Sequence, residues 1–272
     1  MDTSQLDRYF ARVGYAGPRE PTLEVLHALT GAHTRQVPFE NLDVLLGREI
    51  RLDEDALFDK IVTQRRGGYC FEMNGLFLRV LEALGFDVLP LSARVRLDRP
   101  RDFIPARTHM FLRVIADGGV WLSDVGVGAA SLTAPIRFEL DLEQPTPHET
   151  RRVVRDGDRF FHQIRYGESW TDIYEFSGEA MPRIDREVAN WYTSTHPQSH
   201  FKQRLIASRA AEDGRRYTIL NGDFKVRQRD GHADVTPIQS PEKLLELLSE
   251  HFGLHLSPGA QLGTPWQLVT GT

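Results

Sequence analysis

Apolar residues recur at helical spacing in the first third of the chain and at strand spacing beyond it. Leu6, Tyr9, Phe10 and Val13 follow the i, i+3, i+4, i+7 rule of an amphipathic helix ending near Gly14. Pro21 suits the first turn of a second helix, with Leu23, Leu26 and Leu29 on one face and Gly31 beyond its end. Pro38 lacks a donor and pushes Val37 to an extended conformation, so the helical pattern breaks there. Residues 53–64 read as a third helix, and 70–84 as a fourth, stopped by Gly85. After Gly85 the period shortens. Residues 86–97 lean towards strand, and strands over 108–116 and 120–125 flank Asp117-Gly118-Gly119, a strong hairpin signal. The same pattern repeats over 151–155 and 159–166 around Asp156-Gly157-Asp158, with a further strand over 169–176. Hairpins at this spacing predict a small antiparallel barrel or sandwich. The arginines of Arg151-Arg152-Val153-Val154-Arg155 read as a solvated strand face. A linking helix over 185–193, a hairpin over 217–220 and 224–229, and an amphipathic helix over 241–252 stopped by Gly253 complete the chain. The expected fold is α+β, in three units: residues 1–85 helical, 86–184 β, and 185–272 mixed.

Composition narrows the function classes. The chain has 272 residues, 40% hydrophobic and 26% charged, which is the profile of a folded globular protein. A net charge of -5 argues against nucleic acid as a partner. No apolar run reaches the roughly 18 residues of a membrane span. Met1-Asp2-Thr3-Ser4-Gln5 lacks the basic-then-apolar pattern of a signal peptide, and one cysteine cannot close an internal disulfide, so a reducing cytoplasm is expected. No His-Glu-x-x-His or paired-cysteine spacing supports a metal site.

That one cysteine lies in Arg65-Arg66-Gly67-Gly68-Tyr69-Cys70-Phe71-Glu72-Met73-Asn74, where a glycine turn feeds a helix. A thiol at a helix N-terminus sits at the positive end of the macrodipole, which favours the thiolate. Glycines there would let backbone N–H groups approach whatever is bound to the sulfur. Glu72 and Asn74 are placed to brace the site by hydrogen bonds. A nucleophilic thiol needs a base, and the base an orienting acceptor. His109 begins the strand whose hairpin partner carries Asp124. With Ala116 paired to Gly119, His109 faces Gly126, and Asp124 lies diagonally on the same face. Such neighbours stand about 7–8 Å apart at the backbone, within reach of a carboxylate and an imidazole. Cys70 as nucleophile, His109 as base and Asp124 as orienter point to thiol acyl transfer, with no indication of substrate.

Nearly the whole chain resembles the arylamine N-acetyltransferase family. Val37-Pro38-Phe39-Glu40-Asn41-Leu42 resembles its early loop, and residues 66–74 its active-cysteine motif. Thr108-His109-Met110 and Ser123-Asp124-Val125-Gly126-Val127-Gly128 match its histidine and aspartate segments; Tyr174-Glu175-Phe176 and residues 190–201 look like its interdomain region. The resemblance implies a helical bundle, a central antiparallel β-barrel and an α/β lid, with a papain-like Cys-His-Asp site between the first two. It implies a ping-pong reaction in which acetyl-coenzyme A acetylates Cys70 and a small aromatic amine or hydrazine takes the acetyl group. It further implies Thr108, Gly126 and Gly128 as coenzyme contacts and Phe39, Val95 and Val127 as acceptor-pocket residues; a homodimer is left open. One departure stands out: Val127 replaces a phenylalanine common in the family, and a wider pocket would suit the alternative of an amide synthase closing macrolactams from bulky polyketide thioesters. A protease would need an open peptide cleft, which a lid over the site opposes.

Overall fold

Asp2 accepts a hydrogen bond from the Gln5 amide at 2.8 Å and so starts helix α1 (Thr3–Val13), which Gly14 ends in the left-handed conformation at φ 69°. The computed structural model describes residues 1–97, 99–256 and 262–271; Asp98, residues 257–261 and Thr272, which fall within the second and third expected units, lie outside the described residues. Helix α2 (Leu23–Gln36) is capped by Thr22 and runs through Gly31, beyond the expected stop. Gly31 is small for packing: a Cβ there would stand 2.9 Å from the carbonyl oxygen of Thr133. Strand β1 (Phe39–Glu40) and the short α3 (Leu42–Leu45) follow. The helix expected over 53–64 is α4 (Glu54–Phe58), which widens into a π-helical turn, Asp59–Thr63. Helix α5 (Cys70–Ala83) is apolar nearly all round and buried along most of its length.

The next strands are β2 (Asp87–Val95), β3 (His109–Ala116), β4 (Gly119–Ser123), β5 (Ile136–Arg137), β6 (Gln144–Pro145), β7 (Thr150–Asp156), β8 (Arg159–Tyr166) and β9 (Ser169–Phe176). They form one antiparallel sheet in the order β5-β4-β3-β2-β9-β8-β7-β6. Just past β5, Leu140 bridges to Val153 of β7, and the sheet curls into a nearly closed barrel. Ala116 pairs with Gly119 as expected, but the ladder stops at the Leu112–Ser123 pair, so Asp124 has left the strand. The expected solvated arginine face fails at Arg151, which is fully buried beside Val153 on the inner face of β7.

Helix α6 (Arg183–Thr195) and the short α7 (His200–Gln203) lead into a second antiparallel sheet: β10 (Ile206–Ala210), β11 (Arg216–Leu220), β12 (Asp223–Arg227) and β13 (Ala233–Pro237). Its far strand is β1, through the pairs Phe39–Ser208 and Glu40–Ala207. Helices α8 (Pro241–Phe252) and α9 (Gly263–Thr270) complete the chain. Leu42 and Leu45 of α3 pack into the apolar cluster of this last sheet, with Leu205, Ile219, Leu248 and Phe252. Among the described residues no helix is long and apolar enough to cross a membrane.

Candidate active site

The turn before α5 is fixed from three sides. Arg65 adopts φ 54°, and the buried guanidinium of Arg12 reaches the carbonyls of Arg65 and Arg66 at 3.4 and 3.5 Å. Gly67 lies so close to β1 that a Cβ would stand 1.9 Å from the Pro38 carbonyl oxygen. The Gly68 amide donates to the same carbonyl at 3.4 Å. Gly67 therefore serves close packing against residues 38–40 and Gly68 against the Glu72 side chain, and Gly68's N–H is spent on Pro38 instead of facing the sulfur. Glu72 caps α5, accepting from the Tyr69 amide at 3.0 Å.

A buried ion network backs this turn. Arg66 binds Glu40 at 2.7 Å and Asp43 at 3.2 Å, while Lys60 binds Asp43 at 2.7 Å and Glu72 at 2.6 Å. Burial, which alone would discharge Lys60, is outweighed by Glu72, Glu40 and Asp43, which hold it charged. Burial raises the Glu72 carboxyl despite the neighbouring Lys60.

Cys70 is 4% exposed, and its Sγ points to the Thr108 carbonyl oxygen at 3.6 Å. His109 and Asp124 are buried too, with His109 Nε2 donating to Asp124 Oδ2 at 2.7 Å. Burial by itself would lower the His109 pKa; the charge and hydrogen bond of Asp124, then the hydrogen bond and charge of Cys70, push it up to about 10. Asn74, one turn along α5 from Cys70, donates to Asp124 Oδ1 at 2.8 Å and to the Met110 carbonyl at 2.7 Å, and accepts from the Val125 amide at 3.0 Å. The Gly126 amide donates to Asp124 Oδ1 at 3.0 Å. Gly126 lies against the backbone of the nucleophile, where a Cβ would meet Cys70 Cα at 2.8 Å.

The other expected residues fall in two places. Gly128, at φ 71°, and Phe39 adjoin: a Cβ on Gly128 would stand 3.6 Å from the Phe39 ring and 3.7 Å from Ser208 Oγ. Phe39 shares the apolar cluster of Cys70, whereas Val127 and Val95 pack with the barrel cluster of Phe111, Leu132 and Tyr174. Thr108 enters through its carbonyl. Sequence reasoning missed Ser208, whose buried hydroxyl has no partner among the described residues beside Gly128, and Tyr174 and His162, packed at tilted angles behind His109 with ring centroids 5.2 Å (His109–Tyr174) and 4.8 Å (His162–Tyr174) apart. Barrel strand order brings the last two there, and no local pattern carries it. Clefts of about 610 and 270 Å³ lie between residues 47–53 and α6, and between β8 and the β12–β13 turn, and neither is lined by Cys70, His109 or Asp124.

A buried thiol beside an imidazole that a carboxylate clamps is the arrangement of thiol-dependent acyl-transfer enzymes. Residues 22–261 match the N-acetyltransferase family model. An arylamine N-acetyltransferase / N-hydroxyarylamine O-acetyltransferase of Salmonella typhimurium is 42% identical over 254 residues, covering 93% of this chain and 89% of the relative. A solved arylamine N-acetyltransferase from the same organism superposes with a TM-score of 0.91 at 38% identity over 100% of both chains. The Mycobacterium marinum enzyme, solved in complex with CoA, gives 0.91 at 37% identity over 97% of this chain and 98% of that one. The chain belongs to the N-acetyltransferase family, and its N-terminal helices, nearly closed eight-stranded barrel and C-terminal sheet with helices are the fold of that family's arylamine members.

Proposed function

We propose that this protein is an arylamine N-acetyltransferase that passes an acetyl group from acetyl-coenzyme A, through an acetyl-Cys70 intermediate, to an aromatic amine or hydrazine. The observation that carries this reading is the 2.7 Å contact of His109 with Asp124, completed next to the thiol at the start of α5. His109, protonated at neutral pH, holds the Cys70 thiolate, whose sulfur attacks the thioester carbonyl. The tetrahedral adduct collapses, the bond from acetyl carbon to coenzyme sulfur breaks, and His109 gives its proton to the departing thiolate. In the second half the amine nitrogen attacks the acetyl carbon, its proton goes to His109, the bond from acetyl carbon to Cys70 sulfur breaks, and Cys70 leaves as the thiolate, restoring the pair. Asp124 stabilises the imidazolium in both halves. The Cys70 backbone N–H, at the helix N-terminus, would hold the oxyanion.

The residues present suit the coenzyme. Gly126 and Gly128 bring bare backbone to Cys70 and Phe39, Ser208 offers an unpartnered buried hydroxyl there, and Thr108 flanks the sulfur. Phe39, with Val95 and Val127, would bound the acceptor pocket. Residues 1–85, 86–184 and 185–272 would act as helical unit, barrel and lid in a cytoplasmic protein, the papain-like site lying between the first two. The test is intact mass after mixing with acetyl-coenzyme A alone, beside Cys70→Ala. One acetyl group is expected on the wild type only, discharged by an aromatic amine. No adduct, with Cys70 still readily alkylated, would overturn this reading in favour of an amide synthase needing a bulkier donor.

A further inference from the structure

The segment after Asp124 is held from outside by three arginines that come from two sheets. Arg151 of β7 donates to the Ala130 carbonyl at 2.8 Å and the Ser131 carbonyl at 3.4 Å. Arg216 of β11 donates to the Ser131 carbonyl at 2.8 Å, and Arg227 of β12 to the Ala129 carbonyl at 3.3 Å. One carboxylate gathers all three. Glu149 Oε1 accepts from Arg216 at 2.5 Å and Arg227 at 2.8 Å, and Oε2 from Arg151 and Arg216, both at 2.8 Å. Burial, which would raise the Glu149 carboxyl, is overcome by Arg216 and Arg151, which hold it far below the usual carboxylate range.

On its inner side the same segment is tied to the site. The Val127 amide donates to Ser131 Oγ at 3.0 Å, and the Leu132 amide to the Asp124 carbonyl at 2.7 Å. Gly126 forms the wall over Cys70 Cα. Displacing residues 129–131 therefore moves that wall and the backbone carrying Asp124.

We propose that Glu149 is a positioning residue for acyl transfer: by gathering Arg151, Arg216 and Arg227 it fixes residues 126–131 against Cys70, and so sets the space in which an acyl donor meets the thiol. This rests on the acyl-transfer reading above. A small alkylating reagent needs only a reactive sulfur, whereas a thioester must be oriented against the wall, so the two chemistries separate positioning from nucleophilicity.

The experiment measures two rates on each protein, acetylation of Cys70 by acetyl-coenzyme A and alkylation by iodoacetamide, together with amide hydrogen exchange over residues 125–132. Arg227→Met is the variant expected to fold, because the Arg227 side chain is 22% exposed and Glu149 keeps two buried partners without it. Glu149→Gln removes the gathering charge, and Glu149→Asp retains it. Acetylation is expected to fall about tenfold or more in Arg227→Met and further in Glu149→Gln, with partial rescue in Glu149→Asp and alkylation within about twofold of wild type. Exchange over 125–132 is expected to quicken by about tenfold while the rest of α5 stays protected. Unchanged exchange in folded Arg227→Met overturns the positioning role. Faster exchange with acetylation unchanged, or falling only in step with alkylation, overturns its part in acyl transfer. A wild type that is not acetylated removes the acyl-transfer reading instead, and the exchange rates then decide positioning alone.

Discussion

A histidine sealed from water ordinarily loses its proton. His33, deep among the helices, follows that rule: burial, helped by Arg12, lowers its pKa to about 3. His162 follows it as well, with burial first and Arg151 next. His109 reverses it because Asp124 stands 2.7 Å away and both side chains are buried, where solvent screening is weak. A histidine whose folded pKa lies above its unfolded value contributes stability that is full below about pH 6.5 and is lost as pH rises towards about 10. The stability advantage of wild type over His109→Gln in urea titrations should accordingly shrink between those limits; an advantage that grows with pH would refute the pairing. Asn74 holds Asp124 Oδ1 and leaves Oδ2 to His109. Asn74→Ala strips a donor from Asp124 and leaves the Met110 carbonyl and Val125 amide bare, a loss of about 2–4 kcal/mol in unfolding free energy. It should also slow Cys70 acetylation by about tenfold to a hundredfold in stopped-flow or quenched mass measurements. At this scale the sequence was informative about chemistry and silent about depth. Cys70, His109 and Asp124 were readable from residue type, helix start and hairpin register, and Asn74 from its position on α5. Nothing local said that the Cys70 backbone would lie against Gly126.

Among the elements, glycines carry much of the geometry, and their roles differ with what surrounds them. Gly118 turns the β3–β4 hairpin at φ 70° with open space around it, and hairpin chemistry made it legible. Gly31, Gly67 and Gly126 are close-approach positions, set by chain segments distant in sequence, and a stop signal or a flexible turn was the natural misreading. Alanine substitution should sort them. Gly118→Ala is expected to cost about 1 kcal/mol of backbone strain and no acetylation rate. Gly126→Ala drives a methyl into Cys70 Cα, and should cost about 1–3 kcal/mol with loss of most acetylation; thermal melts and mass kinetics check both. Arg151 shows the opposite failure. Its alternation with Val153 already placed it on an inward face, but a charged residue in a β-strand is ordinarily a surface residue, and the carboxylate and carbonyls that receive it come from residues 130, 131 and 149.

For the molecule as a whole, the two-residue strand β1 and the side chain of Asn41 join the first part of the chain to the last. Asn41 Nδ2 donates to the Phe201 and Arg204 carbonyls at 2.8 and 2.7 Å, and its Oδ1 accepts from the Ile206 amide at 2.8 Å. Asn41→Ala should lower stability by about 2–4 kcal/mol and expose β10 to amide exchange before the barrel opens. Exchange in β10 that remains as slow as in the barrel would contradict this. The α+β order of elements was legible in the change of period after Gly85. Strands β1, β10 and β13 were not, because β1 is two residues long and the partners of β10 lie on either side of the barrel in sequence.

The pairing of β1 with β10 has a consequence for how the protein is made. A ribosome adding about 5–20 residues per second takes roughly 10–30 s to travel from Glu40 to Ile206. Through that interval the nascent chain already carries its thiol, yet the floor beneath the cysteine turn, residues 38–40, has no strand to rest on. Full reactivity must then arrive late, as a release event near the end of translation, and a chain cut short by a premature stop before β10 is left with a cysteine but without a finished site.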